Sequence, residues 1–279
     1  MIKRIFILAA ALLMSLPLLQ AKGDEGSENL KVMSYNIRLG SGKDGTNSWA
    51  LRYTATEEML KDQKPDVFGV QEALDYQVHY IEDMCGYESV GVGREDGKKE
   101  GEHMSIFWNK KTVSMLKWGT FWLSETPEKP SMGWDAACYR TATWALMKDK
   151  KTGKKFYFVN THLDHKGKEA QKNGLKLIVD RIDAINPQGY PMVLTGDFNM
   201  TPDNTNLAEL DSRMQSVRKV AQKTDNHDTF NGWGKGKGVI DYIYVSGFSS
   251  YPEYQTITKK YADRKFVSDH YPISATLIF

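Results

Sequence analysis

Cysteine is scarce in these 279 residues: there are two, Cys85 and Cys138, in the settings DMCGY and AACYR. Neither setting has the close ligand spacing of a zinc module, so the pair is either one disulfide or two buried thiols. A basic excess is also missing, with 37 Lys and Arg against 35 Asp and Glu. This weakens a pure polyanion-binding role without excluding a nuclease, and any polyanion must be met by a local patch. No uncharged run reaches the ~20 residues of a membrane span; Ile5 to Leu19 is ~15. The nine prolines gather into no linker, and no repeat or low-complexity tract breaks the chain, so one large domain is expected.

That short apolar run follows Lys3 and Arg4 and ends near Ala21, the pattern of a secretory signal peptide over residues 1–21. Leu19 departs from the small residue preferred before a cleavage site, and a retained N-terminal anchor is the competing reading. No cysteine near the cut supports a lipid anchor. Export to the periplasm or the medium is expected, with no stable membrane association once the signal is gone. Removing residues 1–21 takes Lys3, Arg4 and no acid, which leaves a formally neutral chain. A polar linker, 22–29, precedes the domain proper.

The chain is organised around the stretch TGDFNM, residues 195–200. A short apolar strand turns at Gly196 and presents Asp197 and Asn199 at its C-terminal end, where buried sheets display polar chemistry. Asp197 can take a proton from water, and Asn199 can donate to an anionic oxygen. Other apolar strands give out in the same way. KVMSYNIRL (31–39) carries Asn36, DVFGVQEAL (66–74) ends in Glu72, and FYFVNTHLDH (156–165) ends in Asn160, His162 and Asp164. GVIDYIYVS (238–246) holds Asp241, whose burial would call for a histidine partner, and Asp269 and His270 precede a last strand from Ile273 to Phe279.

Each of these has a plainer reading as well. Glu72 could simply favour a helix N-terminus. His79 and His165 read as ordinary polar residues, and His103 stands near the start of a strand expected over 101–110. Arg140, at the start of TATWALM, is either a phosphate clamp or a structural salt bridge. Trp134, in the long loop 124–140, either stacks on a substrate or plugs the core. Helices are expected from Trp49 to about Lys61, capped by Asn47 or Ser48, and from Lys168 to Ile185, while NGWGKGKG near 231–238 looks mobile.

Taken in order, YNIR, VQE, NTHL, GDFN, IDYIYVS and SDHYPI resemble the endonuclease/exonuclease/phosphatase superfamily over residues 31–279. The nearest pattern is its deadenylase-like branch and bacterial relatives. The resemblance implies an α/β four-layer sandwich, two mixed sheets face to face with helices outside, as one catalytic domain over 30–279. It also implies metal-assisted hydrolysis of a phosphate ester. Glu72, with Asn36 and Asp269, would hold Mg²⁺ or Mn²⁺. Asp197 would activate water, Asn199 would bind a non-bridging oxygen, and His162 and the Asp241–His270 pair would donate to the phosphate. Whether Asp197 or the Asp241–His270 pair is the base stays open. The substrate expected first is nucleic acid or an oligonucleotide. The alternatives are a small phosphorylated metabolite or lipid head group and, last, a binding module without catalysis.

Overall fold

Strand-forming runs dominate the computed structural model, which describes residues 29–279. The expected signal peptide, and all of the expected linker but Asn29, lie outside the described residues. The first sheet contains β1 (Asn29–Asn36), β2 (Val67–Gln71), β3 (Glu88–Val90) and β4 (Ile106–Trp108), with β11 (Ser250–Thr256) and β12 (Ile273–Ile278) added at one side. Its order is β11-β12-β1-β2-β4-β3. The second contains β5 (Val113–Trp122), β6 (Thr141–Asp149), β7 (Lys155–His162), β8 (Met192–Asp197), β9 (Gln215–Ser216) and β10 (Asp241–Ser246), in the order β5-β6-β7-β8-β10-β9.

Each sheet has one parallel pair at its centre, and each pair is joined by a crossover helix. Helix α1 (Trp49–Gln63) links β1 to β2, and α3 (Lys168–Ile185) links β7 to β8. Between the sheets lies an apolar core to which Val32, Val67 and Ile106 contribute from one side and Phe158, Val193 and Ile243 from the other. Outside, α1 and α2 (Asp75–Cys85) cover the first sheet through Met59, Val78 and Ile81. Helix α3 covers the second through Leu175, Ile178 and Val179. This is the expected four-layer sandwich. Strand β2, packed on both faces, is buried along its whole length, which is why its sequence runs apolar without alternation.

Helix α1 begins at Trp49 after Ser48 as expected, but neither Asn47 nor Ser48 caps it with a side chain. The strand expected over 101–110 shortens to Ile106–Trp108, and His103 forms only isolated bridges with Ala73 and Gly93. Strand β11 escapes sequence reading because its SYPEYQT carries Pro252, which a strand tolerates at an edge beside a register shift. The glycine-rich stretch folds back on the C-terminal segment: Asn231 and Gly232 donate backbone N–H groups to the Asp269 carbonyl at 2.8 and 2.9 Å. Cys85 and Cys138 are separate thiols, which settles the choice against a disulfide.

Candidate active site

Strand register brings the site together. In the parallel pairs Asn36 stands opposite Gln71, and His162 opposite Asp197, so four strands run out at one rim. Strand β10 runs antiparallel to β8 and begins there, with Asp241 paired to Asp197. His270, just before β12, enters the same rim. Gly196 is required at this point, since a Cβ would lie 2.4 Å from the Thr161 carbonyl oxygen on β7. Beneath the rim, Asn160 faces inward and ties the sheets together: its Oδ1 accepts from Gln71 Nε2 at 2.7 Å and Thr195 Oγ at 3.1 Å. Asn160 is thus a strut below the site, buried away from its cavity.

The cavity above has a volume of about 450 Å³ and two unlike walls. On the first, the Asn36 amide donates to Glu72 Oε1 at 3.1 Å and to Asp197 Oδ2 at 3.0 Å, while its Oδ1 accepts from the Arg38 N–H. Asn36 thus orients the two carboxylates, and its Oδ1, which accepts one hydrogen bond, keeps a second lone pair. Glu72 and Arg38 both adopt left-handed backbone, at φ 63° and 61°, a cost of order 1–3 kcal/mol each that clusters at functional sites. Arg38 lies 3.7 Å from Glu72 Oε2 and 3.7 Å from Asp269 Oδ2, a single guanidinium facing both expected metal carboxylates.

Asp241 accepts from His270 Nδ1 at 2.9 Å, and His270 Nε2 points to Asp197 Oδ2 at 3.7 Å. Burial alone would discharge His270, but Asp241 and Asp197 outweigh it and push its pKa up to about 10. Burial, reinforced by Asp241, raises Asp197 to about 7 against the opposing pull of His270. His270 therefore stands as an imidazolium donor, and Asp197 as the group able to take a proton near neutrality. Glu72, Asp197 and His270 place one potential ligand atom each within 4.8 Å of one another. A charged imidazole does not ligate, and Asp197 is the proton acceptor, so Glu72 is the member of this trio whose oxygen suits a hard cation.

Asn199, also left-handed at φ 51°, donates both amide hydrogens inside the protein: to the Leu163 carbonyl at 3.1 Å and to His162 Nε2 at 3.0 Å. In this arrangement it orients His162 and has no hydrogen left for a substrate oxygen, contrary to expectation. His162 is held neutral, well below its usual pKa, by burial and by Arg140 and Arg94. With Nε2 accepting, its proton sits on Nδ1, which faces Glu102 Oε2 at 3.9 Å.

The second wall is formed by Arg94, Glu102, Cys138, Arg140 and His165. Arg140 lines the cavity as expected, and it is also a structural ion pair, with Nε 3.4 Å from Asp164 Oδ2. Its Nη2 donates to His165 Nδ1 at 3.0 Å. Asp164 stays below its usual pKa although burial opposes this, because the Gly167 and Lys166 N–H groups and Arg140 stabilise the carboxylate. Trp134 does not line the cavity; its backbone N–H turns toward Glu125 at 3.3 Å. Sequence reading misses Arg38, Arg94, Glu102 and Phe230, and takes His165 for an ordinary polar histidine. Arg38 is within its reach, two residues past Asn36 in YNIR. Arg94 and Glu102 sit in a polar loop with no strand end to mark them.

The sequence pattern of the Endonuclease/Exonuclease/phosphatase family matches residues 33–270, and the chain belongs to that family. Its members are phosphoesterases and in general depend on a divalent metal; this chain is accordingly a metal-dependent hydrolase of phosphate esters. An endonuclease/exonuclease/phosphatase structure from Bacteroides vulgatus is 34% identical, with TM-score 0.84, covering 89% of this chain and 98% of that one. A Bacteroides thetaiotaomicron structure described as mannosyl-6-phosphatase Bt3783 is 33% identical at TM-score 0.84, covering 90% of this chain and all of that one. Sphingomyelinase C 2 of Leptospira interrogans is 23% identical over 290 residues; the match takes in 88% of this chain but only 45% of that protein.

Proposed function

We propose that this chain is a divalent-metal-dependent phosphatase acting on a phosphomonoester of a small metabolite. The observation that carries this reading is the cavity: about 450 Å³, within the range of small-molecule sites, and ended by a second wall of charged side chains. A polynucleotide needs a long basic track instead, and the chain has no basic excess to supply one. Similarity to the mannosyl-6-phosphatase supports the same substrate size.

In this reading Glu72 would hold Mg²⁺ or Mn²⁺ through oxygen, with Asp269 on the other side of the Arg38 guanidinium, while Asn36 orients both Glu72 and Asp197. When bound, the cation polarises a phosphoryl oxygen and offsets charge on the leaving oxygen. Asp197 takes the proton of the attacking water. The His270 imidazolium, fixed by Asp241, donates through Nε2 to a non-bridging oxygen as charge develops there. His162 offers its Nδ1 proton to the same cavity, and Arg140 faces the substrate. The N-terminal Lys3, Arg4 and following apolar run support export, to the periplasm or beyond.

The test is hydrolysis of phosphorylated sugars, p-nitrophenyl phosphate, bis-p-nitrophenyl phosphate and oligonucleotides, with Mg²⁺ or with EDTA. Metal-dependent turnover of the monoesters, abolished by EDTA, is expected. Turnover confined to bis-p-nitrophenyl phosphate or oligonucleotides would return the assignment to a phosphodiesterase.

A further inference from the structure

The second wall has a composition that phosphate binding does not explain. Arg94 Nη1 donates to Glu102 Oε2 at 2.7 Å, and Arg140 pairs with Asp164, so each guanidinium is already matched by a carboxylate. Even so, Arg94 Nε, Arg140 Nη1 and His162 Nδ1 are buried donors with no hydrogen-bond partner among the described residues. Glu102 lines the same cavity, and among the described residues its Oε1 accepts no hydrogen bond. His165, whose Nδ1 accepts from Arg140, is left with Nε2–H as a donor. Buried donors without partners cost about 1–3 kcal/mol each, a cost that a ligand can relieve.

A second phosphate or carboxylate would fit the donors but would meet the Glu102 carboxylate. A hydroxyl group both donates and accepts, so a pair of neighbouring hydroxyls satisfies guanidinium donors and a carboxylate together. Resting on the phosphomonoesterase reading, we propose that Arg94, Glu102 and Arg140 form a recognition subsite for neighbouring hydroxyls of a sugar-like leaving group, with Glu102 the specificity-determining residue. The substrate class is then a polyol or sugar phosphate whose phosphate enters at Glu72 and Asp197 and whose hydroxyls face the second wall.

The measurement is equilibrium binding by calorimetry in Mg²⁺, using Asp197→Asn protein to prevent turnover. The ligands are a hexose 6-phosphate, methyl phosphate and a hexose bisphosphate. The hexose 6-phosphate is expected to bind on the order of 10- to 100-fold more tightly than methyl phosphate. Adding Glu102→Gln preserves an acceptor for Arg94 but turns a donor toward the cavity, so it should erase that preference while leaving methyl phosphate binding unchanged or tighter. Absence of the preference, its survival in Glu102→Gln, or parallel loss for both ligands would overturn the proposal. Tighter binding of the bisphosphate, further improved by Glu102→Gln, would make the wall an anion site instead. Because this readout needs no turnover, failure of the phosphatase reading shows separately, in the wild-type hydrolysis panel.

Discussion

The two walls of the cavity are built by different parts of the chain, and they hold charge differently. The wall of Glu72, Asp197 and His270, backed by the buried Asn36 and Asp241, comes from strand ends locked by register and from the turn before β12. It concentrates carboxylates, so Asp197 is forced up toward neutrality and His270 is kept charged. The wall of Arg94, Glu102, Arg140 and His165 comes from loops and a strand start, and its charges are already matched in pairs. A concentrated, rigid wall suits bond breaking, which rewards fixed geometry. A balanced wall suits recognition.

On that division, Glu72→Gln should lower kcat by about 10³-fold in Mg²⁺ while leaving the KM of a monoester within a few fold. A fall in affinity alone would move Glu72 to the recognition side. Asp241→Ala strands a buried imidazolium; unfolding by urea should show a loss of about 3–5 kcal/mol, and Asp241→Asn a smaller one. On the opposite wall, Arg140→Lys removes the fork that reaches Asp164 and His165 together, and should raise KM about 10-fold with kcat nearly kept. A collapse of kcat there would erase the distinction between the walls.

The smallest effect is one of pH. The folded pKa of Asp197 lies above its ordinary 3.8, so the protonated carboxyl favours folding. Its contribution is complete below pH 3.8 and is lost as pH rises through about 7. His270 adds a loss above its ordinary 6.5, through about 10. In EDTA, the stability of wild type relative to Asp197→Asn should therefore decline from about pH 4 to pH 7 and then level. A difference that is flat across this window would contradict the crowding of acids on the first wall.

The first wall is legible in the sequence because its residues share one local signature, a polar side chain where an apolar strand gives out. Asn36, Glu72, His162, Asp197 and Asp241 can all be found in that way, and the helices at Trp49 and Lys168 by their spacing. The same signature misleads at Asn160, since alternation along β7 places it with His162 but cannot say how deep it lies between two sheets. Trp134 misleads because a loop aromatic has no period from which to read its direction. His165 and Glu102 carry no signature at all. Even within the legible wall, the roles of Asn36 and Asn199 depend on which groups their amide N–H groups meet, and the carboxylates and carbonyl that accept from them lie 36 to 161 residues away along the chain.

By itself, then, the chain's sequence determined the family, through a resemblance that implied the layers, and the strand-end chemistry, because short motifs and strand termination are local properties of a few consecutive residues. Only the tertiary structure decided that Arg94 and Glu102 face Arg140 across from the acidic wall, and that His270 is charged while His162 is neutral. Those outcomes depend on charges and burial brought together through space, and no window of neighbouring residues contains them.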